Sequence, residues 1–201
     1  MTRDLLFALA LGYLLGSIPF GLVLTRLAGK GDIRNIGSGN IGATNVLRTG
    51  SKRLAALTVL FDCLKATAAI LLAGHLFGGP FDDLAERCAA AGAIIGHLYP
   101  VWLKFRGGKG VATLLGVLIG LQFWPAAALY AAIWIFLLLT LRISSVAGMT
   151  AAVSAPITAF ILHSSLLPML LGFAVLVLWK HRENILRLRR GTEPRIGKSK
   201  A

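Results

Sequence analysis

The sequence predicts an all-α protein that crosses a membrane several times as a bundle of about seven helices. Of its 201 residues, 56% are hydrophobic, and they gather into long apolar runs that recur from the amino terminus to about residue 180. A helix needs roughly 20 mostly apolar residues to cross the hydrocarbon of a bilayer. The net charge of +13 comes from basic residues between the runs and in a tail from about residue 181. We therefore expect a single membrane domain over residues 1–201.

Seven apolar segments carry this prediction. Pro19 should kink the first segment, and Pro125 suits the first turn of the fifth. The fourth and fifth are short, so one of them could instead be a half-helix. A short acidic turn at residues 78–83 separates the second segment from the third. The helices are predicted at about residues 5–27, 54–77, 84–103, 111–123, 125–141, 146–162 and 168–180.

Basic residues mark one face of the membrane. All 21 lysines and arginines except Arg3, Lys65 and Arg87 lie in the first, third and fifth connections, beside them, or in the tail. Basic loops stay on the cytoplasmic side, so the amino terminus should lie outside and the carboxyl terminus inside. The polar residues of these connections can then converge at the cytoplasmic boundary. Anionic membrane lipid is an expected partner. Nucleic acid is not, because there is no soluble domain to bind it.

The first polar connection contains Gly-Ser-Gly-Asn-Ile-Gly-Ala-Thr-Asn-Val-Leu-Arg at residues 37–48. Its glycines allow tight turns in which successive N–H groups point at one place. Ser, Thr and Asn add neutral donors, and Arg48 adds a fork that suits phosphate or carboxylate. This composition predicts an anion-binding loop. The alternative is a flexible loop whose small polar residues cap helices.

A second glycine-rich segment, Gly107-Gly-Lys-Gly110, precedes the fourth apolar segment. Backbone N–H groups at a helix N-terminus bind phosphate oxygens, and Lys109 adds a mobile positive charge. Nucleotide hydrolysis is not implied, because Gly110 stands where a Walker A loop has Ser or Thr. The alternative is a turn whose charge only sets orientation. Two phosphate-binding loops would suit two phosphate-bearing substrates.

Three polar residues inside the apolar segments are interpreted as structural. Asp62 and Lys65 are spaced i, i+3 in the second helix, where an internal salt bridge is favoured over a proton or ion relay. His97, near the end of the third helix, is more simply a hydrogen-bonding group than a site residue. Cys63 and Cys88 are expected to be small buried hydrophobes.

The tail adds a third polar group. His181, Asn184 and Arg187 follow one another at intervals of three, so they can share a helical face. The alternative is a basic helix lying on anionic lipid. The expected cytoplasmic carboxylates are few, Glu193 among them, and they form no cluster of oxygen ligands. We therefore expect neither a metal nor a cofactor.

Three segments together resemble one family, the acyl-phosphate:glycerol-3-phosphate acyltransferases of bacterial membranes, or PlsY family. They are residues 37–48, 96–111 and 181–193, in this order and on one predicted membrane face. The resemblance covers nearly the whole chain. It implies transfer of a fatty acyl group from acyl phosphate to the sn-1 hydroxyl of glycerol 3-phosphate, which makes lysophosphatidic acid, the first acylation of phospholipid synthesis. The His-x4-Asp signature of acyl-CoA-type acyltransferases is absent.

The resemblance also implies the site, its partners and its location. The substrates are acyl phosphate and glycerol 3-phosphate, the soluble enzyme that makes acyl phosphate is a candidate partner, and the site faces the cytoplasm from a bacterial plasma membrane. Glu193 looks structural in the family's motif. The expected catalytic residues are Ser38, Arg48, Lys109, His181 and Asn184. The expected substrate-binding residues are Gly37, Gly39, Asn40, Thr44, Asn45, Gly107, Gly108, Ser145 and Arg187.

The mechanism and one other function stay open at this point. Acyl phosphate is already activated, so the glycerol hydroxyl can attack it directly while a substrate phosphate oxygen takes the proton. The rival mechanism uses His181 as general base. The other function is transport of a phosphorylated metabolite. It is disfavoured because transporter sites usually lie at the midplane between repeats, and the chain has no internal repeat.

Overall fold

The computed structural model describes residues 2–79 and 83–197, and the regular elements in these ranges are helices. They confirm the all-α fold class. The predicted turn at 78–83 is covered only in part, because residues 80–82 lie outside the described ranges. In chain order, the α-helices are α1 (Thr2–Gly16), α2 (Phe20–Leu27), α3 (Ala43–Val46), α4 (Lys52–Phe77), α5 (Leu84–Leu98), α6 (Val111–Gly120), α7 (Trp124–Leu141), α8 (Ser144–Ile161), α9 (Leu167–Lys180) and α10 (Arg182–Arg189).

Each predicted apolar segment contains helix, with boundary corrections at two of them. The third ends at Leu98 rather than near 103, because Pro100 cannot continue a helix and biases Tyr99 towards extended backbone. A separate 3₁₀ turn then covers Val101–Leu103. The fourth ends at Gly120, and Gln122 beyond it has a positive φ of 55°.

Four stretches within the described ranges are long and apolar enough to cross a membrane. They are Thr2–Leu27, which includes the break at Pro19, Lys52–Phe77, Trp124–Leu141 and Ser144–Ile161. The number of crossings and the orientation of the termini therefore stay predictions. Large apolar side chains such as Phe136, Leu139 and Val175 are more than half exposed, as expected for a surface that faces hydrocarbon.

The chain divides into two compact units, residues 1–122 and 123–201. The first contains α1 to α6, and the second contains α7 to α10. Whether the chain acts as one functional domain stays a prediction. Each unit contains part of the predicted site, and each is described by itself below.

Helices α1 and α5 pack closely in the first unit because glycines and alanines line their contact. A Cβ added at Gly12 or Gly16 of α1 would collide with the backbone of α5, at Ala89 and Ala93 respectively. A Cβ at Gly92 of α5 would collide with the backbone of α1 in the same way. Small residues at intervals of four let two helix backbones meet, which gains dispersion contacts in a medium without a hydrophobic effect.

Pro19 interrupts the first predicted helix and leaves carbonyl groups that other elements use. Because proline has no N–H and clashes with the preceding turn, α1 ends at Gly16 and α2 begins at Phe20. The Ser17 carbonyl accepts a hydrogen bond from Trp102 Nε1 at 2.9 Å. The Ile18 carbonyl accepts one from Lys65 Nζ at 2.8 Å. The break therefore becomes an attachment point for the third connection and for α4.

Helix α8 is the buried helix of the second unit. Alanines at 147, 151, 155 and 159 are fully buried on one side of it, which is again the pattern of close helix contact. Ser154 and Thr158 on this helix satisfy their hydroxyls on carbonyls of the preceding turn, at 2.8 and 2.9 Å. Helix α10 follows α9 after a single residue, His181.

Candidate functional site

The loop at residues 37–48 is attached to the first unit by a small apolar cluster, the loop-anchoring cluster. Leu22 of α2, Ile33 and Val46 are its buried members, and Leu54, Ala55 and Leu103 pack against them. Ile33 and Val46 lie on either side of the glycine-rich stretch, so both of its ends are fixed. Because Leu103 stands only four residues before Gly107, the cluster also places the two loops near each other.

Asn45 holds the first loop together from inside. Its side chain is buried, and its Nδ2 donates to the Ile33 carbonyl at 2.6 Å. Its Oδ1 accepts from Arg48 Nη1 at 2.9 Å and from the Ser38 backbone N–H at 3.3 Å. Asn45 was expected to bind substrate, and the structure engages these atoms within the loop. The result is a fixed direction for the Arg48 guanidinium.

Glycine is required at position 37 for two reasons. Its φ is +59°, in the region where a side chain is strained, and a Cβ there would collide with Arg48 Nη1 and crowd Asn45 Oδ1. Gly39 also has a positive φ, of 66°. The chain therefore turns tightly around the guanidinium, and the Ser38 side chain between the two glycines is exposed.

Two other predicted residues of this loop differ in their surroundings. Thr44 is exposed on the first turn of α3. Asn40 is half-buried, and its Oδ1 accepts from the Gly42 backbone N–H at 2.9 Å, which forms a local turn before α3. Of the predicted residues in this loop, Ser38, Thr44 and Arg48 thus present exposed side chains.

Asp32 forms ion pairs with two neighbouring arginines, Arg26 and Arg34. Its carboxylate accepts from Arg34 at 2.5 to 3.1 Å and from Arg26 at 2.8 Å. The hydrogen bonds from Arg34 hold the pKa of Asp32 well below its ordinary value, so the carboxylate stays charged. Arg26 and Arg34 are thereby partly neutralised. Arg48 is oriented by a neutral amide oxygen and keeps its full charge for an anion.

The second glycine-rich loop is shaped by the end of α5. The Gly107 N–H donates to the Leu98 carbonyl at 3.2 Å, and the Gly108 N–H donates to the His97 carbonyl at 3.0 Å. These two N–H groups were expected to face a phosphate, and that expectation is wrong because they close the end of α5. Gly110, with a φ of +86°, then begins α6, and the adjacent Lys109 is half-buried. The loop's candidate anion donors are therefore at the start of α6.

A buried polar cluster lies behind this loop. Lys65 Nζ donates to Asp62 Oδ1 at 2.6 Å, so the predicted salt bridge is present. The same Nζ lies 3.0 Å from His97 Nδ1. All three side chains are at least nine-tenths buried. The interpretation of His97 as a hydrogen-bonding group is confirmed, and its connection to Lys65 was not foreseen.

In the second unit, three predicted residues gather around the carboxylate of Glu193. Ser145 Oγ donates to its Oε1 at 2.7 Å, and Asn184 Nδ2 donates to the same oxygen at 2.5 Å. Arg187 Nε donates to Oε2 at 2.7 Å. Burial raises the pKa of Glu193, but these three hydrogen bonds together lower it further than burial raises it. A charged carboxylate is thus bound by the donor types that bind a phosphate.

His181 lies at the junction of α9 and α10 and is buried. Its Nδ1 lies 2.8 Å from the Val177 carbonyl, which can only accept, so Nδ1 carries a hydrogen. In the neutral ring, Nε2 then holds the lone pair. This tautomer is compatible both with orienting a hydroxyl and with accepting a proton.

Sequence reasoning gave Glu193 a structural role but missed its three partners, and it also missed the partners of Asp32. Both are carboxylates in strongly basic segments, which is a signal that each would be surrounded by donors. Within the described ranges, no three His, Cys, Asp or Glu residues are grouped as a metal site would require.

Comparison with known proteins shows that the chain is similar to one family of enzymes along nearly its whole length. The sequence model of a family described as glycerol-3-phosphate acyltransferase matches residues 6–191. A glycerol-3-phosphate acyltransferase of Mesorhizobium japonicum is 56% identical over 198 residues, which is 98% of each chain. One from Rhodopseudomonas palustris is 55% identical over 194 residues, which is 96% of each chain.

Two solved structures share the fold. Both are crystal structures of PlsY, an integral membrane glycerol 3-phosphate acyltransferase. The glycerol 3-phosphate form has a TM-score of 0.87 and 39% identity, and the match covers 96% of both chains. The lysophosphatidic acid form has a TM-score of 0.85 and 38% identity, and the match covers 96% of this chain and 95% of that one.

Proposed function

The chain belongs to the PlsY family of membrane-embedded glycerol-3-phosphate acyltransferases, and we propose that it transfers a fatty acyl group from acyl phosphate to the sn-1 hydroxyl of glycerol 3-phosphate. The products are lysophosphatidic acid and inorganic phosphate. The observation that carries the proposal is the loop at 37–48, in which Asn45 and Gly37 aim a fully charged Arg48 beside the exposed Ser38. The solved relatives in glycerol 3-phosphate and lysophosphatidic acid forms support the acceptor and the product.

The proposed reaction is a direct attack without a covalent enzyme intermediate. The glycerol oxygen forms a bond to the carbonyl carbon of acyl phosphate, and the bond from that carbon to the phosphate oxygen breaks. The hydroxyl proton passes to a phosphate oxygen of a substrate. Charge develops on the carbonyl oxygen and the leaving phosphate, so donors fixed beforehand are the main contribution of the protein. Ser38 and Arg48 are the proposed donors.

The remaining roles are assigned from the family's motifs. Lys109 and the N–H groups at the start of α6 are the proposed donors to the phosphate of glycerol 3-phosphate, and Gly107 and Gly108 shape the loop that leads to them. In the second unit, His181 and Asn184 orient reacting groups. In the first loop, Gly37, Gly39, Asn40, Thr44 and Asn45 shape or line the binding region.

Ser145 and Arg187 are proposed to contribute to phosphate binding less directly. Both already bind Glu193, so their first effect is to hold the tail in place. His181 as general base is the rival mechanism. A pH–rate profile of His181→Ala separates the two: surviving activity with no limb near neutral pH contradicts the role as base.

We further propose that the protein lies in a bacterial plasma membrane, with its amino terminus outside and the site facing the cytoplasm. The asymmetry of lysine and arginine between successive connections supports this orientation. Thiol labelling of a cysteine introduced into the tail, compared in intact and opened cells, tests it. Labelling of the tail in intact cells would contradict it.

The function is tested with purified protein in micelles and radiolabelled glycerol 3-phosphate. Acyl phosphate and acyl-CoA are offered separately, and lysophosphatidic acid is measured. We expect product from acyl phosphate alone. Product from acyl-CoA alone would contradict the proposed donor, and no product from either would contradict the proposed function and make an uptake assay in liposomes the next step.

Variants of the first loop test the carrying observation. Ser38→Ala and Arg48→Ala should each lower kcat/KM by roughly a hundredfold or more, because each removes a fixed donor. Arg34→Ala is the matched control, since it removes an arginine of the same connection that is bound to Asp32. It should leave activity within about twofold. Equal losses in Arg34→Ala and Arg48→Ala would show that only the loop's net charge matters.

A further inference from the structure

We propose that Asp62, Lys65 and His97 form a positioning cluster that sets the backbone of the Gly107–Gly110 loop and thereby the affinity for glycerol 3-phosphate. The proposal rests on the function proposed above, since it takes this loop to hold the acceptor's phosphate. None of the three side chains is proposed to touch a substrate. The cluster acts through His97, which contacts the loop directly.

The first step is the hydrogen bonding of Lys65. An ammonium has three N–H donors and no acceptor. Lys65 Nζ lies 2.6 Å from Asp62 Oδ1, 2.8 Å from the Ile18 carbonyl and 3.0 Å from His97 Nδ1. Three acceptors therefore match three donors. His97 must accept at Nδ1, which places its hydrogen on Nε2 and fixes the orientation of the ring.

The second step runs from His97 to the loop. Its backbone carbonyl accepts the Gly108 N–H at 3.0 Å. Its ring lies against the Cα of the same glycine, because a Cβ added at Gly108 would collide with His97 Nε2. A Cβ at Gly107 would collide with the His97 carbonyl. One residue therefore contacts the loop through both its backbone and its ring, and a tilt of the ring would move Gly108.

The third step is that stability alone is a poor account of the cluster. Burying an ion pair costs several kcal/mol of desolvation for each ion, and apolar residues of similar volume often stabilise a core as well or better. The charged pair instead fixes the orientation of the His97 ring that Lys65 contacts. Lys65 connects the helix break at Ile18 to His97, so the position of the loop follows from α1, α4 and α5 together.

Two substitutions of His97 separate the contact of its ring with Lys65 from the contact of its ring with Gly108. His97→Asn keeps an acceptor near the place of Nδ1 for Lys65, but its side chain is too short to reach Gly108. His97→Gln reaches about as far as Nε2 and refills the space beneath the loop. Thr67→Val is the matched control: Thr67 lies on the same helix as Lys65 and donates to the Gly116 carbonyl at 2.9 Å, away from the loop. All variants are made in the full chain and studied in micelles.

The expected result is a split between the two substrates. His97→Asn should raise KM for glycerol 3-phosphate, and its Kd measured by calorimetry without donor, by roughly tenfold to a hundredfold. KM for acyl phosphate should stay within about twofold. His97→Gln should recover part of the loss, and Thr67→Val should match the wild type. Unchanged KM and Kd in His97→Asn, or the same losses in Thr67→Val, would overturn the proposal.

A readout independent of activity separates failure of this proposal from failure of the proposed function. Trypsin cleavage after the exposed Lys104 and Arg106 reports the mobility of the loop. It should accelerate in His97→Asn and not in Thr67→Val. If the wild type forms no lysophosphatidic acid, the proposed function fails, and cleavage still decides the positioning role. Should His97→Asn not fold, the double variant Asp62→Asn/Lys65→Gln, which replaces the ion pair by amides, should accelerate cleavage in the same way, and unchanged cleavage there would overturn the role.

Discussion

Replacing Glu193 tests how the basic tail is held, because this one carboxylate binds side chains from α8 and α10. Ser145 and Asn184 share one of its oxygens, and Arg187 binds the other. Beyond Glu193, the Ile196 N–H donates to the Arg142 carbonyl at 2.7 Å. This backbone hydrogen bond holds the residues that follow Glu193 in place. Loss of the carboxylate should free the tail before any helix unfolds.

The magnitude follows from the contacts. A hydrogen bond to a charged group contributes about 1.5 to 3 kcal/mol, and the Arg187 pair is discounted to about 1 kcal/mol because the arginine side chain is 33% exposed. Glu193→Gln loses that pair and weakens the two bonds to the other oxygen, about 2 kcal/mol in total. Glu193→Ala loses all three, about 4 kcal/mol or more. At about 1.4 kcal/mol per factor of ten, opening of the tail should rise roughly thirtyfold in Glu193→Gln and several hundredfold or more in Glu193→Ala.

Trypsin cleavage after Arg195, followed by mass spectrometry on full chain in micelles, measures this opening. When opening and closing are fast compared with cleavage, the cleavage rate follows the open population. Glu183→Gln is the matched control, because Glu183 is an exposed glutamate on α10. Wild-type cleavage rates in Glu193→Ala, or the same acceleration in Glu183→Gln, would refute the reasoning.

The pH dependence of the tail has a definite sign. The pKa of Glu193 in the folded protein lies below its ordinary value of 4.5, so the unfolded tail binds more protons than the folded one at mildly acidic pH. The contribution of Glu193 is therefore complete above about pH 4.5 and is lost as the pH falls through the lowered pKa. Hydrogen-exchange protection of the tail, corrected for intrinsic rates, should fall in this window. Glu193→Gln should remove that dependence.

Three further predictions concern other parts of the chain. Gly12→Ala should destabilise the protein in thermal unfolding, because its Cβ collides with the backbone of α5. Gly172→Ala, in open space on a helix, should be neutral or stabilising, and equal effects of the two substitutions would contradict the packing of α1 on α5. In ¹⁵N spectra at neutral pH, His97 should show an Nε2–H and His181 an Nδ1–H, and the reverse pattern would contradict the hydrogen bonds. Gly37→Ala should lower kcat/KM at least tenfold at wild-type expression, because the new methyl displaces the guanidinium beneath it.

Many residues of the candidate site could be predicted from the local sequence. The glycines, Ser38, Arg48 and Lys109 stand in polar segments between apolar runs, and this composition predicts anion-binding loops. The i, i+3 spacing of Asp62 and Lys65 also predicted a contact, because residues three apart share a helical face. Their roles in binding and catalysis stay predictions, and the resemblance that suggested them is confirmed at the level of the family.

Partners far apart in sequence could not be read in the same way. Ser145 and Glu193 are 48 residues apart, and Lys65 and His97 are 32 apart. The sequence around one member of each pair does not identify the other member, since a serine or a histidine has many equally suitable partners. The expectation that the N–H groups of Gly107 and Gly108 face a phosphate failed for the same reason: the competing acceptors are carbonyls of α5, placed by the turn at Pro100.

By itself, the sequence determined the class of fold, the order of its helices and the segments that carry polar chemistry. These follow from apolar length, helical spacing and turn chemistry, which act over a few residues. Tertiary structure alone decided the close contact of α1 with α5, the carboxylate at the centre of the tail, and the contact of His97 with Gly108. Such contacts depend on where whole helices pack, and packing sums many weak interactions from distant parts of the chain.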